Sequence, residues 1–469
     1  MTPPVAHTGT QTGTSRALAF SRLLRVAPPF LVLTLSAGRL LWIVQTYSVN
    51  VFVGDQWLYN EPTLFHRQSA WNIFRWQSTP WRQGLGGLLS AVVGPPTHWN
   101  SRDESFISAG LIIAGCVLAL YLSARLKGEI TAWDSLIPLF ALSPIEYQSV
   151  VGVTHYSHGP LPFLLIIAFC LTWTIRRYAL KYGLALIIAF LCTYTGFGVF
   201  IGVLCPLVIC SDFWARRSSA DKWETRACIM SLIISILSLT SFFYGFTFAD
   251  GVCPPHAFSD PGTGLAVRYP NPLHYFLFLA FMFGDFVGLK ATISLVPSIL
   301  GGSAVLILVL VALFFGLRRR PLLVVPIVLI TYSLMFAGAT ARGRMCLGLG
   351  AALGSRYMIY LAPAFIGMYL LATTCANNVA RPILLAILAG LALLSSLTVH
   401  RSDRDDMAEF HRLRLEWKQC YLAEHDLVDC NRKSGATPYS YPDTIQDRID
   451  YLEQKHLNFY SDQPDEHQN

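Results

Sequence analysis

Along this chain, long stretches with no charged residue alternate with short basic or mixed segments. Residues 106–124, 227–249, 291–317, 321–341, 357–380 and 382–399 each lack Asp, Glu, Lys and Arg altogether. Crossing the ~30 Å hydrocarbon core takes about 20 helical residues, and these runs reach or approach that length. None shows the strict alternation of a membrane strand, so the pattern predicts helices.

The first span is expected over 27–46, after a polar N-terminal segment, residues 1–26, with no small-residue cleavage pattern behind its apolar run. A long loop, 47–105, follows. The next spans fall at 106–124, 133–143, where Pro144 and Glu146 end the run, and 161–175, which stops at Arg176-Arg177. Residues 182–211 are too long for one helix and have basic residues at both ends. Two short helices hinged at Thr195-Gly196-Phe197-Gly198 satisfy both facts. Further spans are predicted over 227–248, 296–317, 321–337, 357–375 and 382–399. The 273–284 run is too short to cross and is followed by Asp285 and Lys290, so an interfacial or re-entrant piece is expected there. The predicted fold is an all-α polytopic membrane protein of about eleven spans, with its transmembrane domain over 27–399.

Past residue 399 the pattern inverts. The last 70 residues, 400–469, carry nine basic and fifteen acidic side chains. Met407, Phe410, Leu413, Trp417 and Tyr421 recur at helical spacing, and so do Ile445, Ile449 and Leu452 behind Asp443-x-x-Gln446, which resembles a capping box. This reads as a small helical element outside the bilayer.

Composition sharpens the class. Of 469 residues 53% are hydrophobic and 13% charged, about half the charged share of an ordinary soluble domain. The net charge of +7 matters less than its placement. With the N-terminus in the cytoplasm, Arg125, Lys127, Arg176, Arg177, Lys181, Arg216, Arg217, Lys222, Arg226, Arg318, Arg319, Arg320 and Arg381 all fall inside, as the positive-inside tendency favours. The tail is then outside, and the expected location is a bacterial cytoplasmic (inner) membrane. Lipid is the expected surrounding partner; nucleic acid is not an expected one. Of eleven cysteines, seven lie in or beside apolar runs as packing residues. Cys253, Cys346, Cys420 and Cys430 fall in outer segments, where disulfides are permitted; Cys420 and Cys430 are the expected pair. No Cys-x-x-Cys or Cys-His spacing points to a metal, and no Walker motif, GxGxxG fingerprint or serine elbow is present.

Three features carry candidate chemistry. Asp55, just beyond the first span beside Trp57, is placed to deprotonate a hydroxyl or to hold a divalent cation at the membrane surface; the bland reading is a solvated acid near an interfacial tryptophan. Arg342, Arg344 and Arg356 fall in a short outer loop against the orientation tendency, with Arg82 and Arg102 in the first loop. A guanidinium fork suits a phosphate, although acids or anionic lipid would also pair with it. Glu104 and Glu146 are secondary acidic candidates, Glu104 having helix capping as its competing role. His155 and His158 are three residues apart with no third ligand in sight, so a metal is not expected there.

Gly54-Asp55-Gln56-Trp57, His98-Trp99-Asn100-Ser101-Arg102-Asp103-Glu104, Ser143-Pro144-Ile145-Glu146-Tyr147, Thr195-Gly196-Phe197-Gly198, Ser355-Arg356-Tyr357 and Leu457-Asn458-Phe459-Tyr460 together resemble a group of bacterial polytopic membrane proteins with the layout of GT-C-type glycosyltransferases. The resemblance implies sugar transfer from a polyprenyl-phosphate donor to an envelope glycan or lipid on the outer face. It casts Asp55 as the catalytic acid and the outer arginines as phosphate ligands. Where relatives often carry His and Arg in the first loop, this chain has Ser78-Thr79-Pro80-Trp81-Arg82. A transporter or flippase of lipid-linked precursors, and a non-catalytic assembly protein, are the alternative expectations.

Overall fold

The computed structural model describes residues 11–78, 81–152, 155–218, 221–247, 271–318, 324–374, 379–397, 401–439 and 445–462. Cys253, Cys375, Arg319, Arg320, Asp443 and the Thr79-Pro80 pair lie outside them. Helix dominates, and the strands among the described residues are one two-residue hairpin pairing Gln77 with Arg82 and Ser78 with Trp81. Among the described residues seven helices are long and apolar enough to cross a bilayer: Val26–Tyr47, Ser101–Lys127, Gly196–Ala215, Lys222–Phe243, Leu295–Arg318, Val324–Leu347 and Ala380–Leu397. Their outer faces stay apolar and uncovered. Met230, Ile236 and Leu237 on one, and Leu300 and Ile307 on another, are each at least half exposed, as side chains facing lipid are. The chain is a multi-pass membrane protein in contact with lipid.

Other expected spans take shorter forms. The 133–143 run becomes a 3-10 turn and a six-residue helix, Leu136–Ala141, continued by the turn Pro144–Glu146 and a π-helical turn, Gln148–Gly152. Pro144 removes a backbone donor and breaks the run. The next two helices are Pro160–Thr172 and Tyr178–Thr193. A break at Gly196–Gly198 then starts the Val199–Arg216 helix, where the sequence places its hinge. Gly196 has φ +51° and an added Cβ would sit 2.9 Å from the Ser157 carbonyl, so the hinge requires glycine. The 273–284 run lies in the 15-residue helix Pro272–Phe286. It packs backbone to backbone on Leu295–Arg318, because a Cβ at Gly302 would fall 2.2 Å from the Ala280 carbonyl. Small residues allow this close approach of helices in a membrane. The core centres on Val324–Arg344 and Ala362–Thr373, with Tyr332, Phe336, Phe365 and Tyr369 fully buried.

The first loop is not irregular. After Tyr47 it forms short helices at Gln56–Tyr59, Ala70–Arg75 and Gly84–Val93, joined by a π-helical turn at Glu61–Phe65. The tail, with helices Arg401–Glu424, Leu427–Ser434 and Gln446–Gln454, packs on this loop. Val51, Phe52, Trp57 and Leu64 share one apolar core with Trp417, Tyr421, Ile445, Ile449 and Phe459. Polar ties reinforce it: the Gly54 amide donates to the Pro438 carbonyl at 2.6 Å, and Asn458 donates to the Trp99 carbonyl at 2.7 Å. Cys420 and Cys430 are disulfide-bonded inside this unit, with Cα atoms 5.6 Å apart. They also form, with Glu424, a close group of metal-type ligands, but both sulfurs are bonded to each other. Cys346 is disulfide-bonded as well.

First loop and tail therefore share one face of the helix bundle. The Ser101–Lys127 helix starts on that face and ends about 40 Å away. At its far end Lys127 pairs with Asp134 at 2.6 Å. Lys181, at the start of a helix whose other end reaches the first loop through a Leu85–Tyr194 backbone bond, pairs with Asp212 at 3.2 Å.

Candidate functional site

The site grows from the turn that carries Asp55. Gly54 adopts φ +56°, which lets the chain reverse and places Asp55 at the start of Gln56–Tyr59. One helical turn on, Tyr59 lies on the same side as Asp55, and its hydroxyl donates toward Asp55 Oδ2 at 3.4 Å. The same hydroxyl is 2.9 Å from His158 Nε2. Gln83 Nε2 reaches that ring nitrogen at 3.0 Å. The ring of Tyr59 also packs on His155 and His158, with centroids 4.2 and 4.9 Å away.

The histidine segment is held firmly from the first loop. Ser157 Oγ donates to the Gln83 carbonyl at 2.9 Å and accepts from the Gly86 amide at 3.1 Å. The Ser157 amide donates to His155 Nδ1 at 3.2 Å, leaving the proton of neutral His155 on Nε2.

Two arginines complete the constellation. Ser355 bonds to the Ile145 carbonyl, and the Gln148 amide donates to Ser355 Oγ at 3.2 Å, which fixes the turn bearing Arg356. Arg356 lies against the Tyr357 ring at 5.4 Å. Burial opposes its charge, but Tyr357, Asp55 and Tyr59 outweigh that and hold its pKa above the usual guanidinium value. Burial holds His158 down, to about 4; Asp55 pulls the other way, and Arg356 and Arg344 add to the depression. At neutral pH His158 is thus an uncharged hydrogen-bond partner. Burial, then Asp55, push the Tyr59 hydroxyl well up, so it keeps its proton. An exposed-side acid, a phenol, a neutral imidazole and two guanidinium groups share one electrostatic neighbourhood.

The other sequence candidates have different positions. Arg344 and Arg342 are not loop residues: the helix runs to Arg344, putting both in its last turn, where cations suit the negative helix end. Arg342 is exposed. Arg82 is buried and donates to the carbonyls of Phe242 at 2.7 Å, Tyr244 at 2.6 Å and Arg75. Its guanidinium fastens the hairpin to the end of Lys222–Phe243. Arg102 donates to the Gln45 carbonyl at 3.0 Å. Glu104 is buried and accepts from Gln56 Nε2 at 3.0 Å, directly behind Asp55. Glu146 is fully buried, and neither carboxyl oxygen has a hydrogen-bond partner among the described residues.

Sequence reasoning missed Tyr59 and Gln83. The four-residue step from Asp55 to Tyr59 was the available signal for the first; nothing in the sequence flags the second. No family model matches the chain, and no curated protein or solved structure matches it.

Proposed function

We propose that this protein is a GT-C-type glycosyltransferase that moves a sugar from a polyprenyl-phosphate donor to a cell-envelope glycan or lipid. The observation that carries this reading is the Tyr59 hydroxyl standing between Asp55 Oδ2, at 3.4 Å, and His158 Nε2, at 2.9 Å, with Arg356 held near enough to feel the Asp55 charge. In the reaction, an acceptor hydroxyl attacks the anomeric carbon as Asp55 takes its proton. The bond from that carbon to the phosphate oxygen breaks, and polyprenyl phosphate leaves with the electron pair. Arg344 and Arg356 steady the charge on the departing phosphate. Tyr59, tied to His158, aims the Asp55 carboxylate. A divalent cation at Asp55 would assist the same step.

Donor binding tests the arginines. Arg356→Ala and Arg344→Ala should each weaken polyprenyl-phosphate binding about tenfold to a hundredfold, the worth of a hydrogen bond to a charged group. Lys at either position should weaken it less than Ala, because Lys keeps charge but loses the fork. Unchanged affinity in both Ala variants would remove the arginines from the site.

The same reading has eleven spans in a bacterial inner membrane, with the N-terminus in the cytoplasm and the tail outside. It is supported by the basic residues at the far end of the bundle. Reporter fusions at Asp221 and Arg319 should report cytoplasmic, and one at Arg432 external. A cytoplasmic signal at 432 or an external one at 319 contradicts it.

A transporter of lipid-linked precursors is the second reading, favoured by Glu146. This carboxyl, without a hydrogen-bond partner among the described residues, sits just beyond the interrupted helix Leu136–Ala141, and interrupted helices and buried acids mark transport sites. In liposomes a transporter would move the donor across the bilayer intact, whereas the transferase would cleave it.

A further inference from the structure

At the end of the bundle away from Asp55, three spans leave an apolar groove of about 580 Å³ between them. Its walls include Leu207, Ser211 and Trp214 of Val199–Arg216, Leu317 of Leu295–Arg318, and Val324 and Val328 of Val324–Arg344. Leu207, Trp214 and Leu317 are exposed, so the groove opens to the surrounding bilayer. The Val199–Arg216 helix starts from the Gly196 turn, which lies against Ser157 under the first loop. Trp214 is therefore at the opposite end of the span. From Leu204 to Trp214 the wall is about 15 Å of helix at 1.5 Å per residue, half of the ~30 Å hydrocarbon core. The groove has the depth of one leaflet, and its lining suits a hydrocarbon chain.

Two cations stand at its mouth. Arg217 continues the helix face that carries Leu207, Ser211 and Trp214, and lies over the Trp214 ring at 4.4 Å. Arg318 directly follows Leu317 and lies over the Phe314 ring at 4.2 Å. Both arginines are exposed, and among the described residues neither pairs with a carboxylate. A guanidinium fork matches phosphate oxygens, and basic pockets between membrane helices bind anionic headgroups. Trp214 beside them fits the headgroup level, where tryptophan concentrates. A phosphate here lies at the other end of the bundle from Arg356, so the sugar donor's phosphate does not account for these cations. We propose that the groove binds one phospholipid with an anionic headgroup, its acyl chain along Leu207 and Val328 and its phosphate met by Arg217 and Arg318. The site stands independently of the sugar-transfer reading.

The test is native mass spectrometry of the full-length protein in detergent, titrated with phosphatidylglycerol or phosphatidylcholine and read as the affinity of the first lipid bound. Wild type should prefer phosphatidylglycerol by about tenfold or more, the worth of two arginines near an anionic headgroup. The double variant Arg217→Gln/Arg318→Gln changes only exposed positions, so it should fold, lose that preference and keep its phosphatidylcholine affinity. Ser211→Phe puts a ring into the groove and should weaken both lipids. Equal wild-type affinity for the two lipids, or a preference that survives in the double variant, overturns the proposal. Unchanged binding by folded Ser211→Phe also overturns it, because the chain then lies elsewhere. Displacement of the bound phosphatidylglycerol by polyprenyl phosphate would give the groove to the donor and overturn the choice of occupant. Each readout is binding, so loss of the enzymatic reading leaves the result intact.

Discussion

Asp134→Ala should destabilise the protein by roughly 3–5 kcal/mol, the cost of removing one partner of a buried ion pair. Asp134 is fully buried and gathers donors from three separate segments. Lys127 Nζ reaches its oxygens at 2.7 and 2.6 Å, the Thr131 amide at 2.7 Å and the Tyr369 hydroxyl at 2.9 Å, with Ser123 bonded as well. Tyr369 belongs to the Ala362–Thr373 helix, more than two hundred residues away in sequence, so the acid fastens the far end of the bundle together. Asp134→Asn keeps the shape and some hydrogen bonds but leaves Lys127 without its countercharge, so it should lie between wild type and Ala. Unfolding in detergent, followed by intrinsic fluorescence, checks the order. A Tm for Asp134→Ala within a degree of wild type would mean that Lys127 reaches another partner or water.

How much of this was legible beforehand depends on the scale of the interaction. Five of the six uncharged runs each coincide with a long helix, because a bilayer demands uninterrupted apolar length, whereas the expected 357–375 span is a 3-10 stretch, Ser355–Tyr360, and a 12-residue helix, Ala362–Thr373. The break at Gly196 was readable for a similar reason: basic residues flanked a stretch too long for one span. The Val324–Arg344 helix was read about seven residues short. Arg342 and Arg344 look like loop charges in sequence, but in the structure they finish a helix whose other turns are buried. The Leu136–Glu146 segment was anticipated only as a span, since Pro144 marks the break but says nothing of the turns that continue it.

The site was half legible. Asp55 and the outer arginines stood out as charges beside apolar runs. Their meeting did not, because it depends on packing between residues almost three hundred positions apart. The cap was equally hidden. Nothing local in Gly54 announces a bond to Pro438, or in Trp57 a shared core with Ile449. Arg82 shows the opposite error: its charge suggested a phosphate, while three backbone carbonyls hold it in the first loop.

Asp55→Asn should slow sugar transfer by about 10²–10⁴-fold, the usual contribution of a general base. The substitution preserves shape, and Asp55 is a partly exposed residue whose one side-chain bond among the described residues, from Tyr59, is 3.4 Å long. Insertion and Tm should therefore change little. Tyr59→Phe should act in the same direction with a smaller loss, because it frees the carboxylate without removing it. A carboxylate with no part in the reaction would leave both variants at the wild-type rate.

Transfer from a radiolabelled polyprenyl-phosphate sugar, by purified protein reconstituted in lipid with an envelope-glycan acceptor, tests the central claim most directly. Across a panel of donor sugars, wild type should release polyprenyl phosphate and label the acceptor, while Asp55→Asn binds the same donor and leaves it uncleaved. Equal conversion by both proteins, or an intact donor with folded wild type throughout the panel, would contradict the account.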